Sequence, residues 1–125
     1  MIQTLLQVAL GGALGASARY MTNVAAMRLF GPGFPWGTVA VNVVGSFLMG
    51  AIVIVLAHKD APRMAPFLMT GVLGGFTTFS AFSLDALTLW ERGQSALAAT
   101  YVAGSVILSL AGIVAGMAAA RGLFA

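Results

Sequence analysis

Four long apolar runs take up most of this chain and leave little room for any other structure. The first extends from about Ile2 to Phe30 and is interrupted only by Arg19 and Arg28. The second, Trp36 to Ala57, holds no charged residue, and neither does the fourth, Ser95 to Ala120. The third runs from Pro66 to Trp90, with Asp85 near its end. About 20 predominantly apolar residues suffice for a helix to cross a bilayer, so each run predicts one transmembrane helix. Gly31-Pro32-Gly33-Phe34-Pro35, His58 to Arg63 and Glu91-Arg92-Gly93 punctuate the runs as short connectors. Composition closes the alternatives. Hydrophobic residues make up 60% of the 125 and charged residues only 7%, where soluble domains carry about 25% charged. Such a chain cannot coat a globule with solvated side chains, and it is too apolar to stay disordered. The expected fold is all-α and integral to the membrane. It forms a single domain over residues 1–125, with spans near 2–30, 36–57, 66–90 and 95–120.

The residue inventory excludes several function classes. There is no Cys, hence no disulfide framework, thiolate metal site or Cys nucleophile. The six basic residues are scattered singly, so a pI near 10.2 reflects few acids and predicts no nucleic-acid partner. No Gly-rich phosphate loop, metal-ligand cluster or Ser/His/Asp set occurs, so no catalytic residue is assigned and the chain is not expected to be an enzyme. Ala16-Ser17-Ala18 resembles a signal-peptidase site, but no Lys or Arg precedes the apolar stretch, and residues 1–30 are read as a retained helix. His58 lies in a connector and is given no function.

Four crossings put Lys59, Arg63 and Arg121 on one side and Arg19, Arg28 and Arg92 on the other. Orientation follows an excess of Lys and Arg on the cytoplasmic side, and this chain has none. Either a small bias or the free amino terminus decides, or the chain inserts both ways and oppositely oriented copies pair about a two-fold axis in the membrane plane. Small residues recur at four-residue spacing in all four runs: Gly11 and Gly15, Ser46 and Gly50, Gly71 and Gly75, Gly112 and Gly116. Such pairs let helix backbones approach closely in lipid, within one chain or between two.

The third run carries its own interruption at mid-membrane, Gly74-Gly75-Phe76-Thr77-Thr78. Paired Gly and paired Thr are poor helix formers. Two readings fit: an unwound segment whose carbonyls bind a small cation, or a kink whose Thr side chains bond back to their own helix. Beyond it, Phe79 and Phe82 share one helix face, and Ser80 and Ser83 an adjacent one. Ring edges are electropositive and can face an anion. Thr38, Asn42 and Ser46 form a polar stripe on the second span; Tyr101, Ser105 and Ser109 form another on the fourth. These groups donate hydrogen bonds without carrying charge. The two stripes, the Phe pair and the break together favour a lined pathway. No acid or His lies centrally, so no proton relay is visible. Asp85 reads as a snorkelling carboxylate, and Arg19 as either a snorkelling cation or an attractor of anions in a vestibule.

Gly11 to Tyr20, Pro35-Trp36-Gly37-Thr38 through Asn42, Gly45-Ser46-Phe47 and Gly74 to Ser83 resemble the CrcB/Fluc fluoride channels over almost the whole chain. The resemblance implies four helices, the third broken at its centre, in an antiparallel dual-topology homodimer with two fluoride pores. The setting it implies is a multi-pass protein of a cell membrane, a bacterial inner membrane, which lets fluoride leave the cell passively. It also implies a structural sodium ion, not transported, on the Gly74 and Thr77 carbonyls. Phe79 and Phe82 match the aromatic positions beside the fluoride path, Asn42 the amide that shapes it, and Tyr101, Ser105 and Ser109 the polar track. Arg19, Thr38, Ser80 and Ser83 are expected in vestibule or supporting roles. Ala81 stands where relatives often have Thr, and Asp85 where Glu is common.

The main rival is a small multidrug-type proton-coupled exporter, which wants an acid deep in its first helix. Residues 2–18 contain none. A non-transporting membrane scaffold is the third reading, since helix packing alone would explain the small-residue pairs.

Overall fold

The computed structural model describes residues 1–125 as an all-helical bundle without strands. Helix α1 (Ile2–Phe30) and helix α2 (Trp36–His58) are joined by a short connector. Gly31 turns the chain there at φ 74°, with its amide on the Met27 carbonyl at 2.9 Å. That left-handed conformation favours a residue without Cβ. A single turn at Pro62–Met64 leads into the third run, whose first half is a wide π-helical stretch, Pro66–Leu73, continued by α3 (Gly74–Phe76). Helix α4 (Ser80–Glu91) forms the second half, and α5 (Ser95–Leu123) completes the chain. Gly93 reverses direction between α4 and α5 at φ 80°.

Three segments are long and apolar enough to cross a membrane: α2, the interrupted third run over Pro62–Glu91, and α5. Helix α1 has the length, 29 residues, or about 43 Å at 1.5 Å per residue. Gln3, Gln7, Arg19, Thr22, Asn23 and Arg28 lower its hydropathy, so the expected four crossings stand at three by length and composition. Only 16 of 125 residues are buried, and Leu, Val, Ile and Phe side chains cover the outside. That is the surface of a protein whose solvent is lipid.

The third run breaks, but later than the sequence suggests. Gly74 and Gly75 are helical, and the helix ends at Phe76; Thr77 turns extended at φ −85°, ψ 160°. The interrupted residues are Thr77, Thr78 and Phe79. The glycines serve packing instead. A Cβ on Gly75 would lie 2.7 Å from the Gly12 carbonyl oxygen of α1, and one on Gly11 would lie 2.5 Å from the Phe67 carbonyl oxygen and 2.8 Å from the Gly71 Cα. Backbone therefore rests on backbone where α1 meets the first half of the third run. The same holds between α2 and α5, where Gly116 abuts the Phe47 carbonyl and Gly50 the Ile113 carbonyl. The small-residue pairs are thus used inside one chain.

Adjacent glycines should separate these effects. Gly11→Ala forces a clash with backbone and is expected to destabilise by about 1–3 kcal/mol. Gly12→Ala meets nothing within 4 Å and should be neutral or stabilising by up to about 1 kcal/mol, as Ala is the better helix former. Thermal unfolding in detergent checks both.

Candidate functional site

At the break the chain must satisfy main-chain groups at membrane depth, where no bulk water can do so. Asn42 of α2 deals with the Thr78 peptide. Its Oδ1 accepts the Thr78 amide at 2.8 Å, and its Nδ2 donates to the Thr78 carbonyl at 3.0 Å. The Thr78 amide would otherwise reach back to Gly74, so this pairing is what ends the first half-helix. Arg19 of α1 donates from Nε to the Gly75 carbonyl at 3.1 Å. A cation there also complements the negative end of the half-helix. Thr78 Oγ1 accepts the Ala81 amide at 3.1 Å and so caps the start of α4. Thr77 bonds back to the Leu73 carbonyl at 2.9 Å. The back-bonded Thr of one sequence reading and the unwound segment of the other therefore coexist.

Two sets of main-chain groups remain unpaired. The carbonyls of Gly74 and Thr77 receive no donor from the chain, and the amide of Phe79, just before α4, finds no acceptor. Free carbonyls attract a cation. Free amides at a helix N-terminus attract an anion.

Beside the break lies a groove of about 390 Å³. Asn42, Gly45, Ser46 and Met49 of α2 line it, as do Thr77, Thr78 and Phe79 of the break, Phe82 of α4, and Ser105, Val106, Ser109, Leu110 and Ile113 of α5. No charged side chain contributes to this lining. The structure therefore brings together five of the sequence-predicted pathway residues: Asn42, Phe79, Phe82, Ser105 and Ser109. The two rings are 5.6 Å apart, centroid to centroid, tilted by 59°. They differ in setting. Phe82 is buried among Leu89, Ala98 and Tyr101, whereas Phe79, outside any helix, is 78% exposed.

The serine hydroxyls of the groove differ from the back-bonded ones. Elsewhere Ser17, Thr22, Ser83, Thr88 and Thr100 donate to the carbonyl four residues earlier, at 2.7–2.9 Å. Ser105 is 5% exposed, and its Oγ has no partner at all. A buried hydroxyl without a partner costs about 1–3 kcal/mol, which a bound hydrogen-bond acceptor would relieve.

The sixth predicted pathway residue lies elsewhere. Tyr101 is 1% exposed, and its hydroxyl donates to Asp85 Oδ2 at 3.1 Å. Thr38 Oγ1 donates to the same oxygen at 2.7 Å. Asp85 therefore turns inward onto two hydroxyls rather than snorkelling outward, because α2 and α5 both offer it a donor. Thr38 and Asp85 also line a smaller hollow of about 280 Å³ with Asn23, Phe34, Trp36 and Ala81. Of the supporting residues, Arg19 caps the first half-helix and does not merely snorkel. Ser83 bonds back to Phe79, and Ser80 is exposed with its Oγ 3.5 Å from Thr78 Oγ1. Sequence reasoning missed the Thr38–Asp85–Tyr101 cluster. The available signal was a lone acid within a span, which needs donors from other helices when no cation is near.

The Asn42 pairing yields a prediction. Asn42→Ala leaves both polar groups of the Thr78 peptide unpaired and should cost about 1–3 kcal/mol. Asn42→Asp in its charged form cannot donate to the Thr78 carbonyl and should be no better. Hydrogen exchange at the Thr78 amide is expected to rise in both variants, which mass spectrometry of the detergent-solubilised protein would detect.

Comparison with known proteins bears on this geometry. Residues 6–117 match the family described as CrcB-like protein, Camphor Resistance (CrcB). A fluoride-specific ion channel FluC of Cereibacter sphaeroides is 76% identical over 125 residues, covering both chains completely. The protein of that name from Paracoccus denitrificans is 60% identical over the same length, again covering both chains completely. The one from Agrobacterium fabrum is 55% identical over 119 residues, covering 94% of this chain and 95% of its own. With a family match over most of its length and full-length relatives at such identity, the chain belongs to the CrcB family.

Proposed function

We propose that this protein is a channel that conducts fluoride passively across the membrane and so lets it leave the cell, lowering its toxicity in the cytoplasm. Ser105 carries the reading: a buried, unpartnered hydroxyl in an apolar groove asks for a small hydrogen-bond acceptor. The relatives' name supplies the identity of that acceptor. Fluoride is small and strongly hydrated, and dehydrating it requires close-range donors. Ser105 and Ser109 supply hydroxyls, and the electropositive edges of Phe79 and Phe82 fill the dry stretches. Asn42 shapes the path by holding Thr78, with a second Nδ2 hydrogen still free to donate. Weak neutral donors suit conduction, which needs binding that is favourable yet escapable. We assign Tyr101 to holding Asp85 with Thr38, and Arg19, Ser80 and Ser83 to supporting positions around the break.

The working unit in this proposal is an antiparallel homodimer in a bacterial inner membrane, with α1 as a fourth crossing and copies inserted both ways. The even division of basic residues and the exposure of Phe79 support it, since a second copy would cover that ring. A structural sodium ion belongs to the same proposal. The donor set fits one: the Gly74 and Thr77 carbonyls are free of hydrogen bonds, and no cluster of acids or His stands by to favour a divalent ion. With two such oxygens from each chain, two copies would complete the cage. Bound there, the cation would neutralise the negative ends of the first half-helices and tie the copies together.

Two experiments test this. Reconstituted in liposomes, the protein should release fluoride and retain chloride. Phe79→Ile and Phe82→Ile, which roughly keep volume and apolarity, should cut fluoride efflux at least tenfold, about 1.4 kcal/mol at the barrier. Equal passage of chloride, or silence of both substitutions, overturns the pathway. Adding Lys residues to one connector should force a single orientation. Such a variant should be inactive alone and regain flux when co-expressed with its oppositely biased counterpart. Full activity of a single-orientation population would exclude the antiparallel dimer.

A further inference from the structure

We propose that Ser46 is a third hydroxyl donor on the anion path, acting from α2 as Ser105 and Ser109 act from α5. The inference rests on the fluoride reading and adds a residue to it. Ser46 lines the same groove as Ser105, Ser109 and the two rings. It lies one turn beyond Asn42 on the same helix face. Five helix hydroxyls outside the groove spend their proton on the carbonyl four residues earlier. Ser46 does not, so its proton is free for a ligand.

The helix seam gives Ser46 space to do this. Across the seam lies Gly112, where even an added Cβ would stop 3.9 Å from the Ser46 Cβ. Ser46 is half-buried, and no charged side chain stands in the groove lining. In such surroundings a neutral O–H has one strong use, to replace water on a passing anion. The path then has hydroxyls on two packed helices, and an anion could keep one donor while exchanging another. That arrangement lowers the barrier between neighbouring sites without deepening any one of them.

The test compares Ser46→Ala, Ser46→Gly and Ser109→Ala with the unaltered protein in fluoride-loaded liposomes. Detergent unfolding temperature is measured in parallel. Removing one hydroxyl is expected to slow fluoride efflux about threefold to tenfold. Ala and Gly at position 46 should behave alike, because both lack the donor while differing in packing. The unfolding temperature of Ser46→Ala should match that of the unaltered protein. Wild-type efflux from Ser46→Ala, with Ser109→Ala slowed, overturns the role of Ser46 and leaves the channel reading standing. Slowing that tracks a lowered unfolding temperature, or that appears in only one of the two position-46 variants, assigns Ser46 to packing and also overturns it. Absence of fluoride efflux from the unaltered protein overturns the channel reading itself.

Discussion

Main-chain groups left unpaired in the middle of a bilayer are costly, and the structure turns on how the N–H and C=O of Thr78 avoid that. The carboxamide of Asn42 matches them group for group, accepting the N–H and donating to the C=O. An amide side chain carries both functions, without charge, on one planar unit. It stands in for the helical bonds that the break removes. With Thr78 fixed to α2, the first half of the third run ends at Phe76, and α4 starts afresh under the Thr78 hydroxyl cap. Phe79 and Phe82 take their positions from that restart. The groove exists because two half-helices meet there instead of one helix passing through.

Polarity follows from the same event. The first half-helix presents its carbonyl end at the break, and α4 presents its amide end. One intact helix would have hidden both. Arg19 covers the Gly75 carbonyl, while the Gly74 and Thr77 carbonyls stay open on one side and the Phe79 amide on the other. A neutral stretch of chain thereby offers partial negative and partial positive charge within a few residues, without placing any ionised side chain in the groove. This suits a site that must attract an ion yet release it, since full charges at low dielectric bind tenaciously.

Much of this was legible in the sequence, and the gaps have physical causes. The helical runs could be read because lipid imposes length and apolarity on each one separately. The existence of a break could be read from Gly and Thr propensities, but its position could not. Propensity marked Gly74 and Gly75 as weak, whereas Gly75 is used for close approach to α1 and the break falls at Thr77–Phe79. Periodicity grouped Asn42 with Ser46, and Ser105 with Ser109, because residues four apart share a helix face, and all four line one groove. It also grouped Tyr101 with Ser105, but a stripe does not reveal that the Tyr101 hydroxyl faces Asp85. Thr38 and Asp85 are 47 residues apart in sequence, and only the fold brings them together.

The contact between α1 and the first half of the third run has a mechanical consequence. Side chains that meet across a helix interface can hop between rotamers and let the helices slide. Here Gly11, Gly15 and Gly75 bring main chain against main chain, with no intervening layer to rearrange. That half-helix and α1 therefore move as one stiff body. Helix α4 has no such seat; it rests on α5 through the side chains of Phe82, Leu89, Ala98 and Tyr101. Any displacement at the break is therefore expected on the α4 side, where the ring of Phe79 would travel with it while the Gly74 carbonyl keeps its place.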